Sequence, residues 1–139
     1  MLYVDTSALI AYFTPEVHSV RVETILRDAS RYPLAISEWT ATEFVSALGI
    51  KCRTGQLTEA QSLAVQGQYE AMKGHFMLLP IETVDFHKAA EWLRNWRLGL
   101  RSGDALHLAI AERHGMAVCT LDKVMRGAAL ALGIATESL

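Results

Sequence analysis

"MLYVDTSALIAYF", residues 1–13, decides how the rest of the chain is read. Leu2–Val4 suits a short buried strand. Thr6–Phe13 suits a helix, and Pro15 punctuates its end. Between them stands Asp5, a carboxylate at the join of two apolar segments. An ionised carboxylate buried without a partner carries a large desolvation penalty or shifts its pKa until it is neutral. Asp5 therefore needs a reason to be there, and helix capping is the simplest.

Outward from this stretch the same strand–helix order repeats. Residues 17–27 place Val17, Val20, Ile25 and Leu26 at roughly helical spacing. Residues 33–37 read as a second strand, and Ser37 caps a helix over Glu38–Arg53 that Gly55 stops. Thr58 opens a fourth helix that reaches Gly74. A third strand is expected at 76–81, and a fifth helix at 83–99 with Thr83 as cap and Gly99 as stop. A sixth helix follows at 102–115, a fourth strand at 116–121, a seventh helix at 122–133 and an edge strand at 134–136. Parallel strands need crossover helices, so this order predicts a single-domain, three-layer α/β/α fold over residues 1–139 with a mostly parallel central sheet. The hairpin over 38–74 is long for a simple crossover and is expected to project from the sheet.

Composition agrees with a packed fold. The 139 residues are 51% hydrophobic, enough for a core and too many for a disordered chain. The formal charge of −2 lacks the basic excess that announces a nucleic-acid binder. Cys52 and Cys119 lie far apart without metal-ligand spacing and read as reduced, buried thiols of a cytosolic protein. No signal peptide and no membrane-length apolar run stand out, so a soluble, cytoplasmic protein is expected.

The carboxylates fall at informative places. Asp5 follows the first strand, and Asp122 follows the fourth in "CTLD". In open parallel sheets ligands bind outside the carboxyl ends of the strands. Asp104 opens the sixth helix, in "RSGDALHLAIA". Glu43 sits inside the third helix on a face with Trp39, Ala47 and Ile50. Singly, each aspartate has a plainer explanation as a cap or a helix-dipole partner, and Glu43 as a solvated or Arg-paired side chain. Jointly, four clustered carboxylates repel one another, and a divalent cation removes the conflict. Mg²⁺ prefers such hard oxygen donors and is often held by only one or two of them directly.

"VDTSALIAYF", the segment around Glu43, "RSGDALHLAIAERHG" and "TLD" together resemble the PIN domain, specifically the toxins of VapC type. The resemblance implies a PIN-like fold and a Mg²⁺- or Mn²⁺-dependent endoribonuclease, the toxin of a toxin–antitoxin pair neutralised by a VapB-type antitoxin. It matches Asp5, Glu43, Asp104 and Asp122 to the family's catalytic, metal-holding acids. Many relatives carry a further acid or amide where Val124 and Met125 stand here. One metal site is therefore expected, with a second left open. A homodimer is expected from the same likeness and from abundant apolar helix surface.

Thr6, Ser7 and Thr120 are read as hydrogen-bonding the ligands or a phosphate oxygen, with packing or capping as the alternative. The basic residues form three groups: Arg21, Arg27 and Arg31; Lys51 and Arg53; Arg94, Arg97 and Arg101. Only the last is read as a phosphate-tracking rim, because Arg101 precedes the Asp104 turn. His18, His75, His87, His107 and His114 show no zinc spacing. His107 lies one turn after Asp104, and its simpler reading is helix surface or packing. Trp92 and Trp96, at i and i+4, suggest core or interface before base stacking. The alternative reading is a Mg²⁺-binding, phospho-accepting receiver module. That class needs paired acids after the first strand, and "YVDTS" has one. A dehalogenase-type phosphatase needs a second acid where Ser7 stands, and a nucleotide-binding module needs a glycine-rich turn that is missing.

Overall fold

The computed structural model describes residues 1–28, 33–137 and 139. Five strands, β1 (Leu2–Val4), β2 (Leu34–Ser37), β3 (Met77–Leu79), β4 (Ala117–Cys119) and β5 (Thr136–Glu137), form one sheet in the order β3-β2-β1-β4-β5. Every pairing is parallel, with Leu2 opposite Leu34 on one side and Ala117 on the other. The helices are α1 (Thr6–Phe13), α2 (Ser19–Arg27), α3 (Glu38–Arg53), α4 (Glu59–Met72), α5 (Thr83–Leu93), α6 (Ser102–Arg113) and α7 (Lys123–Ala131). Among the described residues none is long and apolar enough to cross a membrane.

Strand alternation divides the core. Leu2 and Val4 face α1–α4, where Leu9, Phe13, Val22, Phe44, Leu48 and Tyr69 are buried. Tyr3 faces α5–α7 and packs with Trp92, Leu108, Ile110 and Met125. Helix α6 is buried continuously from Ala105 to Ala111, as an apolar-all-round helix between sheet and neighbours should be. The chain leaves β1 toward β2 and leaves β4 toward β5, in opposite directions. The crevice between the carboxyl ends of β1 and β4 is thus a topological switch point, and the Asp5 N–H donates to Cys119 O there at 3.1 Å.

Capping residues Ser37 and Thr58 act as the sequence predicts. Other expectations are corrected. The fifth helix ends at Leu93, followed by a 3-10 turn at Trp96–Leu98 that closes on left-handed Gly99. Trp92 and Trp96 therefore do not share a helix: Trp92 is core, whereas Trp96 is exposed and stacked on Arg97. The N-cap position of α5 is Glu82, not Thr83. Helix α2 starts at Ser19 and buries Val22 and Leu26, while Val17 and Val20 are exposed. The 38–74 hairpin does not simply project: Phe44 and Tyr69 stack at 4.7 Å within the core. The edge strand lies at Thr136–Glu137, two residues later than expected at its start. Cys52 is only half-buried; Cys119 is buried, its thiol pushed up to about 12 by desolvation, and neither forms a disulfide. Arg31 lies outside the described residues.

Candidate active site

One cavity of about 490 Å³ opens at the switch point, and Asp5, Glu43, Asp104 and Asp122 all line it. Thr6, Ser7, Arg101 and His107 are also among its lining residues, as are Glu16 and His18. The four acids come from four elements: the end of β1, the middle of α3, the first turn of α6 and the loop after β4.

Asp5 is the most buried of them, at 4% exposure. It is a cap: the Ala8 N–H donates to Oδ1 at 3.0 Å. Capping does not exhaust it. Ser7 Oγ donates at 2.8 Å to Oδ1, and Thr120 Oγ1 donates at 2.9 Å to Oδ2. The Leu121 N–H in turn donates to Ser7 Oγ at 2.9 Å. Burial raises the Asp5 pKa despite these bonds. No lysine or arginine ion pair reaches it among the described residues. Asp122 is also a cap, accepting from the Val124 and Met125 N–H groups at 2.8 and 2.9 Å through Oδ1. Its Oδ2 faces Arg101 Nη2 at 3.3 Å, and Arg101 Nε reaches Asp104 Oδ2 at the same distance. Arg101, its side chain largely exposed, thus spans two of the acids.

Glu43 is held by α1 and α6. Thr6 Oγ1 and His107 Nε2 both reach Oε2, at 2.7 and 2.6 Å. Burial opposes ionisation of Glu43, but the bonds from His107 and Thr6 outweigh it and lower its pKa. Oε1 lies over Gly103. A Cβ at Gly103 would stand 2.7 Å from that oxygen and 3.3 Å from Trp39 Nε1, so a side chain there displaces the Glu43 carboxylate.

The hydroxyls of Thr6, Ser7 and Thr120 therefore bond Glu43 and Asp5. His107 is buried, as the packing reading has it, and it also lines the cavity and bonds Glu43. The sequence alone does not single out Tyr3 or Gly103. The spacing of His107 from Asp104, one turn along a buried face, was the available signal; nothing local marked Gly103.

The donor set suits a divalent cation. It is all hard oxygen, and its most buried member lacks a cationic side chain. Among the described residues no three His, Cys, Asp or Glu side chains close on one point.

A parallel sheet of this order with an acidic cleft at its switch point defines a class, and the chain belongs to the PIN domain family, whose model matches residues 2–130. Within that class it is 31% identical over 137 residues to Ribonuclease VapC46 of Mycobacterium tuberculosis, covering 96% of this chain and 94% of the relative. Two solved structures share the fold. FitAcB from Neisseria gonorrhoeae superposes with a TM-score of 0.78 at 18% identity, over 99% of this chain and 97% of that one. VapC20 of M. tuberculosis, described as a Sarcin-Ricin loop cleaving toxin, gives 0.77 at 17% identity over the whole of both chains.

Proposed function

We propose that the chain is a metal-dependent endoribonuclease, the toxin of a VapBC-type pair, acting as one nuclease domain in the cytoplasm. The observation that carries this reading is the convergence of Asp5, Glu43, Asp104 and Asp122 on one cleft in a PIN fold. The 31% identity to a ribonuclease supports RNA as the substrate. Mg²⁺, with Mn²⁺ able to replace it, is the proposed ion, held by those acids at one site. When bound, it supplies an activated water and neutralises charge on the phosphodiester. The chain's own groups do the rest. The hydroxyls of Ser7 and Thr120 fix the Asp5 oxygens. Thr6 fixes Glu43. Arg101, released from Asp104 and Asp122, is placed to take a phosphate oxygen. A VapB-type antitoxin is the proposed partner, blocking the cleft, and the toxin is read as a homodimer.

Incubation of the purified chain with RNA tests this. Cleavage is expected to vanish in EDTA, return with Mg²⁺ or Mn²⁺, and return poorly with the larger Ca²⁺. In-line attack by water leaves a 5′-phosphate and a 3′-hydroxyl, so a 2′-deoxy sugar at the cut remains cleavable. A 2′,3′-cyclic phosphate formed in EDTA would overturn the mechanism, because it requires attack by the 2′-hydroxyl. Labelling of one aspartate by acetyl phosphate would favour the receiver alternative.

A further inference from the structure

A buried line of hydrogen bonds leaves the amino end of α3 and returns to the same helix six residues after its cap. The Thr40 N–H donates to Ser37 Oγ at 3.2 Å. Ser37 Oγ lies 2.7 Å from Tyr3 Oη. Tyr3 Oη lies 2.7 Å from His107 Nδ1, and His107 Nε2 lies 2.6 Å from Glu43 Oε2. Tyr3, Ser37, Thr40 and His107 are all at most 2% exposed. Glu43 accepts, so His107 carries a proton on Nε2. With Tyr3 O–H donating to Nδ1 and Ser37 O–H donating to Tyr3 Oη, every hydroxyl and ring nitrogen along the line is satisfied in one direction. A buried network is rigid when all of its members are satisfied.

The members are not scattered. Tyr3 stands two residues before Asp5 on β1. His107 stands one turn after Asp104 on α6. Ser37 begins the helix that carries Glu43. Each anchor belongs to an element that delivers an acid to the cleft.

We infer that Tyr3 and His107 are positioning residues for the nuclease site, holding Glu43 by one oxygen and setting its distance from Asp5 and Asp104. The inference rests on the nuclease reading above. Oε2 is occupied by His107 and Thr6, while Oε1 lies against Gly103 in the first turn of α6, beside Asp104. Without the ring, Glu43 keeps only the Thr6 hydroxyl. Its carboxylate then swings, and the cleft no longer presents a fixed donor. Outer partners of metal-binding side chains typically govern about 10- to 100-fold in affinity or activity.

The test compares Tyr3→Phe, His107→Leu and His107→Gln with the wild-type chain, by calorimetric titration with Mn²⁺ and by RNA cleavage well below the melting temperature. Tyr3→Phe keeps the ring's packing and removes one hydroxyl; about tenfold weaker Mn²⁺ binding and a matching fall in kcat are expected, with KM for RNA unchanged. His107→Leu is expected to lose about 100-fold. His107→Gln, whose amide still donates to Glu43, is expected to recover part of that loss. Wild-type Mn²⁺ affinity and kcat in folded Tyr3→Phe would overturn the inference, even where His107→Leu fails to fold. Equal loss in His107→Gln and His107→Leu would also overturn it. Wild-type protein that neither binds Mn²⁺ nor cuts RNA would instead overturn the nuclease reading.

Discussion

Asp5 and Asp85 are both buried aspartates near helix starts, at 4% and 1% exposure, and they are solved differently. Asp85 has a full complement. Arg113 Nε donates to Oδ1 at 2.7 Å, Arg113 Nη2 donates to Oδ2 at 2.9 Å, and the Glu82 N–H donates to Oδ2 at 2.8 Å. The same guanidinium takes Pro80 O and Glu82 Oε1, locking the end of α6 to the start of α5. Asp5 receives only hydroxyls and one backbone N–H among the described residues. The fold is able to supply a bidentate arginine to a buried carboxylate, and at the cleft it does not. That difference separates a charge that completes the structure from one that, on the proposed reading, pairs with a cation.

The comparison breaks if the two aspartates respond alike. Asp5→Asn keeps shape and removes charge; RNA cleavage is expected to fall at least about 100-fold, measured at saturating Mg²⁺. Its melting temperature without metal is expected to hold or rise, since no ion pair is lost. Asp85→Asn leaves Arg113 without its buried partner. A loss of about 3 kcal/mol is expected, roughly 10 °C in melting temperature, with cleavage by the folded fraction near normal.

Gly103→Ala sharpens the comparison at Glu43. The added Cβ meets the end of the Glu43 side chain, which moves at little energetic penalty, and replacing glycine in a helix stabilises by about 0.5–1 kcal/mol. Stability should therefore hold while cleavage falls about tenfold. Arg101→Gln removes the cation that spans Asp104 and Asp122. Mn²⁺ is expected to bind a few-fold more tightly and RNA a few-fold more weakly, read by calorimetry and by KM.

The smallest effect is on pH dependence. Burial raises the Asp5 pKa, so its protonated form favours the fold. That contribution is complete below the ordinary value of 3.8 and is lost as pH rises through the higher folded value. Glu43 runs the other way: its pKa is lowered, so its contribution is present above 4.5 and lost as pH falls below it. Metal-free wild type should lose melting temperature relative to Asp5→Asn as pH is raised above 3.8, and saturating Mn²⁺ should remove the difference.

Much of this was legible in the sequence. Short apolar runs ending in Asp5 and Asp122, with capped helices between, specify parallel strands whose carboxyl ends carry acids. The positions of the four acids followed from the same order and from the resemblance to the PIN family. What escaped was set by distance rather than by neighbours. Asn95 accepts the Arg97 N–H and turns the chain after Leu93, where helical spacing alone suggested continuation. In residues 17–27 two phases of apolar spacing compete, and packing against α1 selects Val22 over Val20. His107 sits in "ALHLAI", which reads as a core helix and is one; its role arises only when Tyr3 and Glu43 arrive from other elements. Gly103 matters because α3 passes within contact of it, which no local pattern records.

We propose that Asp5 takes a divalent cation as its partner, and a calorimetric titration of Mn²⁺ into the metal-free chain tests that reading most directly. Wild type and Asp85→Asn are expected to bind one Mn²⁺ with similar affinity, and Asp5→Asn to bind at least about tenfold more weakly. No heat of binding in wild type, or the same affinity in Asp5→Asn, would contradict the claim and leave Asp5 as a helix cap.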